Sequence, residues 1–224
     1  MMDVTFLGQA GLMFEKDGFR IMVDPYLSDS VGKTIPACAR RVPVDESFFG
    51  KRPDVMIFTH SHLDHYDPET AARFFTSYRD MTVLSPSSVW PEARKYPCGN
   101  HVLFDAGTSW TERGIRFTAV PAVHSDAHAI GVVIDDGGKK YYVTGDTLYS
   151  DRIFRELPGD IYALFLPVNG VGNNMNMTDA ARFAARVGAE KTVPVHTGLF
   201  DSLDPGDFDC PGKVVPVIYR RIDI

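Results

Sequence analysis

Cysteine is scarce: Cys38, Cys98 and Cys210 are the 3 in the chain, far apart and without a Cys-x-x-Cys pair. That spacing argues against a disulfide framework and against a thiolate zinc site, and it suits a reducing compartment. Basic runs are missing as well. With a net charge of -6 and no cluster of Lys and Arg, the chain lacks the electrostatic footprint of a polynucleotide binder. No stretch approaches the ~18 apolar residues of a membrane span. The opening Met1-Met2-Asp3-Val4 lacks the basic start and apolar core of a signal peptide, so a cytoplasmic protein is expected. Nothing marks a linker, and a single domain over residues 1–224 is expected, with an apolar fraction of 44% to build its core.

What is present is short β-like segments punctuated by turns. Val4 to Leu7, Gly11 to Glu15 and Phe19 to Val23 read as a meander with a turn at Lys16-Asp17-Gly18. An irregular segment from Ser28 to Gly50 follows, then the apolar run Val55 to Phe58. Asp67-Pro68-Glu69 starts a helix, with Asp67 as N-cap and Pro68 in the first position. Met81 to Leu84 reads as a strand and Pro86 to Pro97 as a proline-interrupted helical turn. Strands follow at Val102 to Phe104, Thr108 to Trp110, Ile115 to Val120, Ile130 to Ile134 and Tyr141 to Thr144. Asp151 to Leu157 and Thr178 to Val187 then read as helices, the second closed by Gly188. Ala163 to Leu166, Thr192 to Val195 and Val214 to Tyr219 read as further strands. Strands followed by α/β alternation, twice over, imply an α/β fold of two sheets flanked by helices.

The densest chemistry lies in Thr59-His60-Ser61-His62-Leu63-Asp64-His65, directly after a buried-type strand. Imidazole and carboxylate are ligands of Zn, Mn and Fe, and a divalent ion with an open position activates water near neutral pH. His60 and His62 are two apart, so an extended loop points both rings to one side. A bend before the helix at Asp67 can turn Asp64 and His65 toward a second ion. Further ligands are available where later strands end: His124, Asp146 and His196. Strand ends on one edge of an α/β sheet converge on a shared crevice.

Each element has a plainer explanation. The His60 to His65 cluster can be a solvated loop, His124 a core or surface histidine, and Asp146 in Gly145-Asp146-Thr147 a turn residue. His128, four residues after His124, reads as a residue that lines the pocket or binds a substrate oxygen, or, the favoured reading, as one on the surface or supporting the site from outside. The loop carrying Asn169, Asn173, Asn174 and Asn176 serves either a substrate or a tight turn, and Arg40-Arg41 either an anionic group or solvent.

Taken in order, His60-x-His62-x-Asp64-His65, a single His124, Gly145-Asp146-Thr147 and a final His196 resemble the metallo-β-lactamase superfamily. The resemblance implies a four-layer αββα sandwich with a dinuclear site at the edge between its sheets. It implies His60, His62 and His124 on a first metal, Asp64, His65 and His196 on a second, Asp146 bridging, and a structural role for Asp24. Leu7-Gly8-Gln9-Ala10-Gly11, Val23-Asp24-Pro25-Tyr26, Pro121-Ala122-Val123-His124 and Leu166-Pro167-Val168-Asn169-Gly170 are similar to the subgroup containing ascorbate-6-phosphate lactonase. Some of its members carry His where this chain has Gln9.

The expected function is therefore a dinuclear hydrolase that uses a metal-bridging hydroxide on a small ester-like substrate, a lactone or a phosphorylated sugar acid. Two divalent ions, Zn or Mn with Fe as a third choice, are the expected cofactors. Asp64 is the expected catalytic residue, orienting the nucleophile and moving its proton. Phosphodiester cleavage of nucleotides or RNA is the alternative within hydrolases; a redox protein or a metal-free interaction protein on the same fold lies outside them. The expected partner is a small molecule, anionic in the sugar-acid case, with neither nucleic acid nor membrane, and self-association stays open.

Overall fold

A tight turn sets the first sheet in motion. Asp17 (φ 51°) and Gly18 (φ 78°) both occupy the left-handed region, the pairing that a two-residue hairpin turn requires. They join β2 (Gly11–Lys16) to β3 (Phe19–Val23), and β1 (Asp3–Gly8) pairs antiparallel with β2 on the other side. The computed structural model describes residues 1–97 and 99–224; the sequence expectation for Cys98 lies outside the described residues. After the meander the chain changes to parallel crossovers. α1 (Ser30–Thr34) and two 3₁₀ turns occupy the irregular segment, and β4 (Val55–Ile57), α2 (Pro68–Ser77), β5 (Thr82–Ser85), α3 (Trp90–Ala93) and β6 (Asn100–Leu103) follow. β4, β5 and β6 extend the sheet in parallel from β3.

The second half repeats this plan. β7 (Ser109–Glu112), β8 (Ile115–Pro121), β9 (Ile130–Asp135) and β10 (Lys140–Val143) run antiparallel. α4 (Ile153–Glu156), β11 (Ile161–Pro167), α5 (Met177–Val187) and β12 (Lys191–Val195) complete it, with β11 and β12 added in parallel. β13 (Arg221–Ile222) returns to the first sheet beside β1. The strand orders are β13-β1-β2-β3-β4-β5-β6 and β12-β11-β10-β9-β8-β7.

Burial shows why four layers result. Phe6, Phe14, Phe117 and Phe165, from both sheets, share one core between them. Phe74 and Phe75 of α2 pack with Met56 and Val83 on the outer face of the first sheet. Phe183 and Ala180 of α5 pack with Tyr142 and Leu164 on the outer face of the second. Each fully buried Phe removes an apolar side chain from water at a gain of ~2 kcal/mol, so the helices are held mainly by these faces. Caps fix where they begin. Asp67 accepts from the Glu69 and Thr70 amides at 3.2 and 3.1 Å, a contact worth ~1 kcal/mol, and Asn176 accepts from the Asp179 amide at 2.9 Å. Among the described residues no helix is long and apolar enough to cross a membrane.

One strand expectation fails. Val214 to Tyr219 is not a strand; the last one is Arg221–Ile222. Pro216 has no amide hydrogen to give a ladder, and Tyr219 turns through φ 62°. Beyond that turn the chain reaches β1, where Tyr219 N donates to Phe6 O and Phe6 N to Arg220 O.

Candidate metal centre

Every chemically expected residue lies just beyond the C-terminal end of a strand. His60 to His65 follow β4, His124 follows β8, Asp146 follows β10 and His196 follows β12. Asp24 follows β3 and Asn169 follows β11 in the same way. The turns are sharp: Asp24 (φ 44°), His196 (φ 64°) and Gln9 (φ 54°) all occupy the left-handed region that costs a non-glycine residue energy. Gly145 (φ 60°) also permits a close approach, since a Cβ there would lie 2.7 Å from Ile130 O and 2.9 Å from Thr59 Cβ. Without that approach, Asp146 could not sit beneath the His60 loop.

Donor atoms gather in three overlapping groups, each within 4.8 Å: His60, His62 and His124; Asp64, His65 and His196; and His60, His65 and Asp146. The seven residues expected as ligands are thus brought together. In the first group His62 Nδ1 lies 3.1 Å from both His60 Nε2 and His124 Nε2. In the second, Asp64 Oδ2 lies 3.1 Å from His196 Nε2 and 3.7 Å from His65 Nε2. Asp146 reaches both, with Oδ1 3.2 Å from His65 Nε2 and Oδ2 3.3 Å from His196 Nε2 and 3.8 Å from His124 Nε2.

These residues fit a divalent cation on an observation of their own. His65 Nε2 and Asp146 Oδ1 are buried and have no hydrogen-bond partner among the described residues. A buried polar atom left without a partner costs ~1–3 kcal/mol, and a cation between the two would relieve both.

Charges divide the site. Burial and the neighbouring His65 drive His60 well below the usual histidine range, and burial lowers His124 too. Burial also opposes charge on His65, but Asp146, Asp64 and Asp24 override it and hold that ring well above the usual range. His196 is likewise penalised by burial yet is raised to about 10 by Asp146 and Asp64. Burial works against Asp64 and Asp146 as carboxylates, and the facing His65 and His196 nevertheless keep both below the ordinary carboxylate range.

A supporting layer fixes the rings. Asp24 Oδ2 lies 2.8 Å from His65 Nδ1 and accepts from Thr59 Oγ1 at 2.5 Å, while its Oδ1 accepts from Thr59 N at 2.8 Å. Thr59 Oγ1 is 3.0 Å from His60 Nδ1. Asp24 thus stands behind His65, close to the site and not among the grouped donors. Gln9 Nε2 donates to Asp64 Oδ2 at 2.8 Å, Asn174 Nδ2 donates to Asp146 Oδ2 at 2.8 Å, and Asn169 Nδ2 lies 2.9 Å from His196 Nδ1. Asp126 accepts from Ser61 N at 2.9 Å and Ser61 Oγ at 2.7 Å, tying the loop between His60 and His62 to the loop that carries His124.

Thr59, Asp126 and Gln9 carried no assigned role in the sequence. An alcohol at a strand end and an Asp two residues past His124 were the available signals. Two other candidates lie apart from the centre. His128 is exposed, with its amide donating to Asp126 at 2.9 Å. Arg40 spends its guanidinium inside the protein, on Tyr26 O at 2.8 Å, Tyr219 Oη at 2.5 Å and Val42 O at 3.1 Å, so anion recognition is not its task.

His62, Asp64, Asp146 and His196 of the centre line a cleft of about 490 Å³, together with Asn169, Val171, Phe200 and Asp201. Comparison with known proteins agrees with this architecture. A family model described as a beta-lactamase superfamily domain matches residues 19–197. A protein of Korarchaeum cryptofilum named a metal-dependent hydrolase is 30% identical over 207 residues, covering 91% of this chain and 86% of that one. A possible metal-dependent hydrolase of Veillonella parvula superposes with a TM-score of 0.82 at 16% identity over 100% of both chains. An isothiocyanate hydrolase from Delia radicum gut bacteria does so with a TM-score of 0.75 at 19% identity, over 100% of this chain and 99% of that one.

Proposed function

The chain belongs to the beta-lactamase superfamily, and we propose that it is a dinuclear metal-dependent hydrolase of small ester-like substrates, lactones among them. The observation that carries this reading is the pairing of a His60, His62, His124 group with an Asp64, His65, His196 group, each opening onto one cleft through His62, Asp64 and His196, with Asp146 reaching both. His60, His62 and His124 would hold one cation, and Asp64, His65 and His196 the other. Bound there, two divalent ions would supply Lewis acidity toward a carbonyl and a lowered pKa for water. The name of the Korarchaeum cryptofilum relative supports the reaction class, and the motifs shared with the ascorbate-6-phosphate lactonase subgroup support the ester-like substrate.

The chain's own residues supply orientation and proton handling. Asp64 is at once a ligand and the carboxylate nearest the open side, lining the cleft, with Oδ2 fixed by Gln9 Nε2 and facing His196 Nε2. From that position it orients the attacking water and takes its proton. Asp24 and Thr59 hold His65 and His60 from behind, and Asn169 and Asn174 hold His196 and Asp146, so the donor atoms are set before substrate arrives. His60 and His65 are fully buried, which keeps bulk water from the back of the site.

The test is a panel of neutral lactones beside bis-p-nitrophenyl phosphate, with the protein loaded with Zn²⁺ or Mn²⁺. Lactone opening that a chelator abolishes is the expected result; phosphodiester cleavage without lactone opening would overturn the ester reading.

A further inference from the structure

Beyond the reacting centre, the walls of the cleft have a charge character of their own. Among the described residues lining it, none is Lys or Arg. Cys38 stands on the wall, and the guanidinium two residues beyond it, Arg40, is turned away onto Tyr26 O, Val42 O and Tyr219 Oη. The charge on the wall outside the grouped donors is a carboxylate. Asp201 Oδ1 accepts from Gly198 N and Leu203 N, each at 3.0 Å, which fixes the side chain, and no cation among the described residues pairs with it. Around it the lining is mixed: Phe200 beside it and Val171, 69% exposed, supply hydrocarbon, while the amides of Gln9, Asn169 and Asn174 are turned onto Asp64, His196 and Asp146.

A phosphoryl or carboxylate tail needs cationic forks or a row of amide donors to replace its water. A wall without a cation, whose Gln9, Asn169 and Asn174 amides are committed to the centre and whose free charge is Asp201, repels such a tail and accepts a neutral or cationic one.

We propose that the cleft selects substrates whose portion beyond the scissile bond carries no negative charge, and that Asp201 is the residue that rejects anionic tails. The proposal rests on the hydrolase reading and narrows it: a neutral lactone or ester is accepted, and a phosphorylated sugar acid is not.

Three aryl esters of equal length test it on the metal-loaded full chain: p-nitrophenyl hexanoate, p-nitrophenyl 6-aminohexanoate and the p-nitrophenyl monoester of adipic acid, with neutral, cationic and anionic tails. The expected kcat/KM for the adipate ester is about tenfold below that for the hexanoate. Asp201→Asn keeps an acceptor oxygen for the Gly198 and Leu203 amides while removing the charge, and should raise the adipate-to-hexanoate ratio about fivefold. Calorimetric binding of the hydrolytically inert N-phenyl hexanamide and N-phenyl adipamic acid gives a readout without turnover. Preference for the hexanamide, weakened in Asp201→Asn, supports the proposal. Equal or better binding of the adipamate, or a ratio that Asp201→Asn leaves unchanged, overturns it. If none of the esters is cleaved but the hexanamide preference persists, the hydrolase reading fails and the charge selection stands.

Discussion

His60, His62 and His124 meet as three imidazoles, whereas His65 and His196 meet two carboxylates, Asp64 and Asp146. The two halves meet at Asp146 and differ in protons. His60 and His124 are pushed below the usual histidine range, so near neutrality their lone pairs are ready for a cation. His65 and His196 are held above it by the carboxylates they face, so a cation entering there must first displace protons. One half is ready for its ligand, and the other neutralises itself until a stronger positive charge arrives.

The variant with the largest expected effect removes the link between the halves. Asp146→Ala should lower metal-dependent ester hydrolysis by about a thousandfold or more, because both groups lose a neighbour and His65 and His196 lose a counter-charge; steady-state kinetics at saturating metal check it. Asp64→Asn should cost about a hundredfold in kcat, with less loss of the ion at His60, His62 and His124. Elemental analysis beside kinetics separates the two effects, and undiminished turnover in this variant would remove Asp64 from its catalytic role.

Proton displacement predicts the third effect. The folded-state pKa of His196 is raised from 6.5 to about 10, so below that value the metal-free ring is protonated and a cation competes with the proton. Affinity at Asp64, His65 and His196 should therefore rise with pH through the neutral range, by about a decade per unit for each proton displaced, and more steeply than at His60, His62 and His124. Metal titrations from pH 6 to pH 9 on variants confined to one half measure both slopes. Smallest is the effect of Asp126→Ala, which frees Ser61 between His60 and His62. About a tenfold loss of affinity at the three-histidine group, with the other group less affected, is expected in the same titrations.

Much of this comparison was legible in the chain. His60 to His65 advertise themselves by density, and His124, Asp146 and His196 by following apolar runs, because strand ends on one edge of parallel crossovers must converge. The fold followed from the same alternation of strand and helix. Contacts that cross the fold were not legible. Gln9 reaches Asp64 and His196 through a backbone turn at φ 54°, and no local pattern announces either the turn or the contact. Arg40 was open between an anionic group and solvent, and took neither, because its partners Tyr26 and Tyr219 come together only after folding. Val214 to Tyr219 looked like a strand by composition, yet Val214 N reaches only Thr192 O, Pro216 has no amide hydrogen to give, and contact with β1 begins at the left-handed Tyr219.

Anomalous diffraction from crystals soaked in Zn²⁺ or Mn²⁺ tests the two-ion claim most directly. Two peaks are predicted, one enclosed by His60, His62 and His124 and one by Asp64, His65 and His196, with Asp146 touching both. A single peak at saturating metal and pH 8, or a second peak outside these residues, would contradict it.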